Sequence, residues 1–219
     1  ALANNTTANN NTAMGANALL ANTTGSENVA LGVSALTANT TANSNTAVGF
    51  KSLFTNTTGG NNTAMGDSAL RANTTASNGT ALGHSALTAN TTGTNNTAVG
   101  YQALKANTTG ASNTAIGSES LDAVTTGDAN TAVGRFAGSA ITTGLGNTAI
   151  GYQALDALTT SNYNTAIGFD ALSANTAADN VAVGTNALNA CTTGTANTGI
   201  GRSALEASTT NDHNTAIGR

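Results

Sequence analysis

Residues 96–117 read NTAVGYQALKANTTGASNTAIG, and the motif that opens this stretch, Asn96-Thr97-Ala98-Val99-Gly100, returns at its end as Asn113-Thr114-Ala115-Ile116-Gly117. Outward from here the glycine recurs at 15, 32, 49, 66, 83, 100, 117, 134, 151, 168, 184, 201 and 218, seventeen residues apart except for a step of sixteen from Gly168 to Gly184. Self-similarity at so short a period means one supersecondary unit stacked on copies of itself. Such a chain is a repeat protein.

The unit reads NTAxGxxALxANTTGxx. Its Gly/Ser/Asn/Asp-rich link after the Thr pair varies (GSE, ANS, GTN, GDA) and absorbs the one missing residue, between Gly168 and Asn180, so it is a turn. The two remaining stretches, NTAxG and AxLxANTT, are short and rich in Thr, Val, Ile and Leu, which predicts two short strands per coil. No run between glycines and Asn-Thr-Thr breaks reaches the roughly ten to twelve residues a helix needs. The expectation is an all-β, parallel β-solenoid with 17-residue coils, a single segment of about thirteen coils over residues 1–219. The chain opens and closes inside a repeat without an initiator Met, which reads as part of a longer chain.

Each position of the unit becomes a column in the stack. The residue before each Gly is always apolar (Met14, Leu31, Val48, Met65, Leu82, Val99, Ile116, and on to Ile217), which predicts a core column. A second core column runs from Leu19 through Leu36, Leu53, Leu70, Leu87, Leu104 and Leu121 to Leu205. It is broken only at Gly138, where Phe136 and Ile141 are expected to refill the space. Ala columns from Ala13 to Ala216 and from Ala21 to Ala207 suit close packing, which we assign to contact between chains. The Asn that opens the motif stands at 11, 28, 45, 62, 96, 113, 130, 147, 164, 180, 197 and 214. Asn11, Asn28, Asn45, Asn62, Asn96, Asn113, Asn130, Asn147, Asn164, Asn180, Asn197 and Asn214 are thus candidates for a structural amide ladder, with Gly79 the exception.

Composition narrows the function. Charged residues make up 7% and aromatic residues 3%, so the six Lys/Arg form no basic patch with stacking platforms and nucleic acid is excluded as a partner. No apolar run approaches the roughly twenty residues of a membrane span, so no membrane insertion is expected. Cys191 is the single cysteine and forms no internal disulfide; it shares a column with Val124, Ile141 and Leu158, which predicts a small apolar role.

Chemistry-bearing residues do not converge. His84 and His213 lie more than seven coils apart, on the order of 35 Å at about 4.7 Å per stacked strand. The acidic residues fall at scattered positions, and no phosphate-cradling or calcium-binding glycine motif occurs. No catalytic residue, cofactor or metal site is expected, and the chain reads as a non-enzyme.

Three features bear on binding. Asn-Thr-Thr sequons at Asn5, Asn22, Asn39, Asn56, Asn73, Asn90 and Asn107 are possible glycosylation sites, although the column continues as Val124, Ile141, Leu158, Cys191 and Ser208, which favours a structural Asn. Thr columns such as Thr23, Thr40, Thr57, Thr74, Thr91 and Thr108 form a regular uncharged array of the kind that binds ice. The residue after Gly is often large (Phe50, His84, Tyr101, Tyr152, Phe169, Arg202) and reads as an interchain contact or an exposed binding strip.

The units NTAVGYQALKANTTG (96–110) and NTAIGYQALDALTT (147–160) resemble the head repeats of trimeric autotransporter adhesins and, more closely, repeats of phage tail-fibre and related bacterial surface proteins. The likeness rests on Ala98-Val99-Gly100 and Ala149-Ile150-Gly151 and extends over the chain. It implies a left-handed β-roll, a homotrimer, and an extracellular fibre on a cell surface or virion. The chain departs from the adhesin repeat in its longer coil and in showing no stalk, anchor or chaperone segment. The resulting expectation is a structural fibre or adhesin segment that spaces or presents a binding tip, self-associates, and meets a cell-surface glycan or receptor. Alternatives are a monomeric solenoid binding ice or a repetitive glycan through a Thr face, and a glycosylated filament subunit assembled end to end.

Overall fold

The computed structural model describes residues 1–219 and contains strands, turns and no helix. Contacts divide it into two compact units, Ala1–Ser112 and Asn113–Arg219. The first holds β1 (Thr12–Met14), β2 (Val29–Leu31), β3 (Thr46–Val48), β4 (Thr63–Met65), β5 (Thr80–Leu82) and β6 (Thr97–Val99). The second holds β7 (Thr114–Ile116), β8 (Thr131–Val133), β9 (Thr148–Ile150), β10 (Thr165–Ile167), β11 (Val181–Val183), β12 (Thr198–Ile200) and β13 (Thr215–Ile217). Within each unit successive strands pair in parallel and in register, Ala47 beside Ala64 and Ile150 beside Ile167. Each unit is a parallel β-solenoid with a seventeen-residue rise. The sixteen-residue coil keeps Thr165 paired with Val181, so the deletion is taken up in the link.

Each coil contributes one strand, not two. The stretch after the glycine cannot be extended, because two of its residues are left-handed: Asn17 and Leu19 have φ of 59° and 50°, and Ser68 and Leu70 of 59° and 49°. An L-residue in that region costs about 1–2 kcal/mol, and every Leu of the Leu column adopts it. Burial of a Leu contributes roughly 1.5–3 kcal/mol, and the Leu amide bonds the next coil, Leu70 N–H to the Ala86 carbonyl at 3.0 Å. The Leu column is the core as expected: Leu19 through Leu188 are 0% exposed.

The strand faces the other way from the one expected. Strand side chains alternate, so in Thr-Ala-Val one kind of residue points in and two point out. Ala30, Ala47, Ala64, Ala81 and Ala98 are 0% exposed, whereas Met65 is 44% and Ile116 41% exposed. The aliphatic column before the glycine is therefore an outer column, and the first Ala column packs inside each roll instead of between chains. The reason is space. Leu from the opposite side of the coil already fills the interior, and only a methyl group fits against it; at Gly199, a Cβ lies 3.2 Å from the Leu188 Cγ. At Gly138 the Leu121 and Ile141 side chains occupy the missing Leu's space, within 2.9 and 3.0 Å of where a Cβ would stand. Phe136 does not take part; it lies edge-on to Tyr152.

Candidate functional site

Inside the first unit, two asparagine columns meet on one row of carbonyls. The motif Asn bonds twice, Asn28 Oδ1 accepting from the Asn45 backbone N–H at 3.0 Å while Asn28 Nδ2 donates to the Ala42 carbonyl at 2.9 Å. The sequon Asn donates to the same carbonyl, Asn39 Nδ2 to Ala42 at 3.0 Å, and to the Asn22 Oδ1 of the preceding coil at 2.8 Å. This second ladder runs unbroken from Asn107 back to Asn5. The carbonyls of Gly25, Ala42, Gly59, Ala76 and Gly110 each accept two amides in this way, and Gly93, whose coil has Gly79 in place of the motif Asn, accepts one from Asn90. Asn22, Asn39, Asn56, Asn73, Asn90 and Asn107 are buried with their Nδ2 committed; of the sequon residues only Asn5 is exposed.

The second unit keeps the motif ladder, from Asn113 to Asn214, and drops the sequon one. Val124, Ile141 and Leu158 fill that column fully buried, and a single amide serves the carbonyl, Asn130 Nδ2 to Gly144 at 2.8 Å. The substitution leaves loose ends where the columns change. Asn107 Oδ1, at the last sequon of the first unit, is buried without a partner. Asn175 follows Leu158; its Nδ2 is unpartnered, and its Oδ1 turns to accept the Ala177 N–H. Cys191 is buried in the same column with its thiol toward the Gly194 carbonyl, and burial pushes its pKa up. It is a packed side chain and a poor nucleophile.

The first Thr of the Thr pair spends its hydroxyl on the stack in coils of both units. Thr23 Oγ1 donates to the Thr40 carbonyl at 3.0 Å, Thr57 to Thr74 at 3.0 Å, Thr91 to Thr108 at 2.9 Å and Thr192 to Thr209 at 3.1 Å. These hydroxyls are half-buried or turned to a carbonyl, so this column offers little to an ordered lattice.

What the chain does present is the strand's outer face. Its two columns, Thr46 to Thr97 and Val48 to Val99 in the first unit and the equivalent rows in the second, hold Thr, Val, Ile, Leu and Met and no charge. Beside them the residue after the glycine stands out: Phe50 is 46%, Tyr101 50% and Phe169 50% exposed. Adjacent members stack, His84 on Tyr101 at 5.5 Å and Tyr152 on Phe169 at 5.4 Å between centroids. Arg135 lies 4.3 Å over the Phe136 ring. His213 belongs to no cluster with His84, and no group of three or more His, Cys, Asp or Glu converges. No helix is long and apolar enough to cross a membrane. The sequence missed this face because an aliphatic residue beside a glycine reads as core; the signal that finds it is the near-invariant Ala one place earlier, which marks the inward position of a three-residue strand.

No protein-family model matches the chain, and neither the curated proteins nor the solved structures contain a match to it.

Proposed function

We propose that the chain is a non-enzymatic structural fibre segment whose copies associate side by side through the outer strand face, spacing or presenting a binding tip outside a cell or on a virion. The observation that carries this reading is the charge-free double column along the strands, half-exposed at its Thr and Val members and exposed at Met65, Ile116, Ile150, Ile167 and Ile200. Exposed apolar strips of this kind mark association surfaces. A second copy is the natural occupant, because the strand repeat of one chain is commensurate with that of another by construction. Without charge the face repels no copy of itself and selects no ionic ligand. A homotrimer is the assembly that the repeat resemblance implies. The sequon amides and the first Thr column are spent on internal bonds, which weighs against the glycan-coated filament and against an ice lattice built on Thr23 and its equivalents.

Sedimentation equilibrium of the purified chain tests the reading. The expected mass is a multiple of 21.2 kDa, and the double variant Val48→Asp, Val99→Asp is expected to sediment as a monomer in 0.5 M salt while keeping the parent's circular dichroism. A parent chain that remains at the monomer mass at every concentration overturns the proposal.

A further inference from the structure

The flank five residues after each glycine carries charge of opposite sign in the two units. In the first unit this row reads Leu20, Thr37, Phe54, Arg71, Thr88, Lys105; in the second it reads Asp122, Ser139, Asp156, Ser173, Asn189, Glu206. The wider balance follows the same division. Lys51, Arg71 and Lys105 stand against Glu27 and Asp67 up to residue 112, a net +1, while eight acidic residues stand against Arg135, Arg202 and Arg219 beyond it, a net −5, and together these make the chain's −4.

We infer that a second copy of this chain docks antiparallel on this flank, the cationic row of one first unit against the acidic row of the other's second unit. The contact adds to the self-association proposed above and uses different residues. Three observations support it. The spacings match: Arg71 and Lys105 are two coils apart, as are Asp122 and Asp156, roughly 9–10 Å in each case at the strand spacing. The antiparallel register sets Arg71 opposite Asp156, Thr88 opposite Ser139, Lys105 opposite Asp122 and Phe54 opposite Ser173, with no like-charge pair. A parallel register sets Arg71 on Asp122 and Lys105 on Asp156, which takes the guanidinium and its groove away from the half-buried carboxylate.

The surfaces also fit in shape. The first unit has a groove of about 390 Å³ lined by Phe54, Thr55, Arg71, Ala72, Thr88 and Ala89. Arg71 is exposed there, and Lys51 Nζ sits 5.8 Å from the Phe54 ring centroid, adding positive charge beside it. The facing row carries its acidic side chain between small neighbours, Asp156 between Ser139 and Ser173, so a carboxylate can enter the groove without obstruction.

The third observation is a carboxylate whose charged form its surroundings disfavour. The Asp156 carboxylate accepts one side-chain bond, from Gln153 Nε2 at 3.3 Å, and has Asp170 as an acidic neighbour. Burial first, and the Asp170 charge second, raise its pKa. A guanidinium brought to this position offsets the Asp170 charge and compensates with charge-assisted hydrogen bonds for the water the carboxylate loses, and Arg–carboxylate geometry favours it over a diffuse counterion. A strip two residues wide is narrow for a protein interface, so the association is weak and salt-sensitive, and a covalent trap reads it best.

Two single-cysteine variants, Thr88→Cys and Ser139→Cys, are mixed at low ionic strength and oxidised mildly with diamide, both in the Val48→Asp, Val99→Asp background so that the strand-face association does not contribute. Cys191 is buried and stays out of the reaction. The expected product is the mixed 88–139 disulfide, in several-fold excess over the homodimers that either variant gives alone, falling about tenfold in 0.5 M salt. Arg71→Glu on the Thr88→Cys chain should suppress it, and Asp156→Arg on the partner chain should restore it. Ala89→Cys with Ala140→Cys repeats the test without removing the Thr88 hydroxyl's bond to the Ser68 carbonyl. Equal yields of mixed and self-linked products, or rescue by Asp122→Arg in place of Asp156→Arg, overturn the antiparallel contact. Because the strand-face association is already removed in this background, a failure here leaves the fibre reading to its own measurement.

Discussion

At the scale of single residues, what matters is how close one coil lies to the next. Gly66 has φ of +137°, and a Cβ on it would stand 2.5 Å from the Gly83 carbonyl oxygen. Gly66→Ala combines a strained backbone with a clash against backbone that cannot move alone, and is expected to destabilise by at least about 2–3 kcal/mol. Gly60→Ala is the control: its Cβ meets only the Asn43 carbonyl oxygen at 3.2 Å, and the melting temperature should move little. Chemical denaturation of the two variants checks this; similar losses in both would remove the close-approach argument. The sequon ladder makes a second prediction. Asn56→Ala deprives Asn39 Oδ1 of the amide that bonds it at 3.2 Å and Asn73 Nδ2 of its acceptor at 2.7 Å, at a cost of about 2–4 kcal/mol. Asn56→Val copies the second unit's solution at Val124, keeps the volume filled, and should cost less than the Ala variant.

At the scale of the element, a three-residue strand has one inward and two outward side chains, and charge placed on each side separates them. Ala47→Asp buries an unpaired carboxylate against the Leu column and is expected to cost about 3–5 kcal/mol, enough to open the coils around β3. Val48→Asp, one residue on, stands at the surface and should leave the melting curve of the dilute chain almost unchanged. Equal losses would place Val48 in the core. The flank element titrates. Because the native pKa of Asp156 is raised from 3.8 by burial and by Asp170, the native state holds its proton to higher pH than the unfolded chain does. Stability therefore falls as pH rises through that window, and the penalty is fully present at neutral pH. Asp156→Asn is expected to melt higher than the parent at pH 7, with the difference gone below about pH 3. An Asn variant that melts lower at pH 7 contradicts the burial account.

At the scale of the whole molecule, stability in a stack of like coils is a sum of coil and neighbour terms, so coils are interchangeable. Excision of residues 63–79 joins Asn62 to Thr80 and keeps the Asn-Thr-Ala motif and the register intact. The shortened chain is expected to fold with the parent's circular dichroism per residue and a melting temperature within a few degrees. Excision of half a coil, residues 63–70, breaks both ladders and should prevent folding of the first unit. If the two deletions behave alike, the repeat is not the cooperative unit. Charge is not periodic: the first unit carries +1 and the second −5, and in the docking inferred above this difference gives otherwise similar coils an orientation toward a partner.

The period, the turn that absorbs the missing residue and the buried Leu column were legible in the sequence, because a repeat projects three-dimensional neighbours onto fixed sequence offsets. Gly138 and Ile141 could be read the same way, as a vacancy and its filler. The direction of Val48 could not, because an apolar residue beside a glycine is compatible with either face until the space inside the coil is known. The tertiary structure decided it: with the Leu column filling a narrow interior, as Leu188 does 3.2 Å from where a Cβ on Gly199 would stand, only the methyl of Ala47 fits beneath the strand, and the larger Val48 turns out. Likewise the second stretch of the coil has strand-like composition, yet Leu70 sits left-handed, since only a tight reversal brings its side chain inward at so short a period. Whether an Asn-Thr-Thr is a surface sequon or an internal ladder also depended on the fold, because the carbonyls that take the amides, such as Ala42 and Gly59, reach them only when the chain is wound.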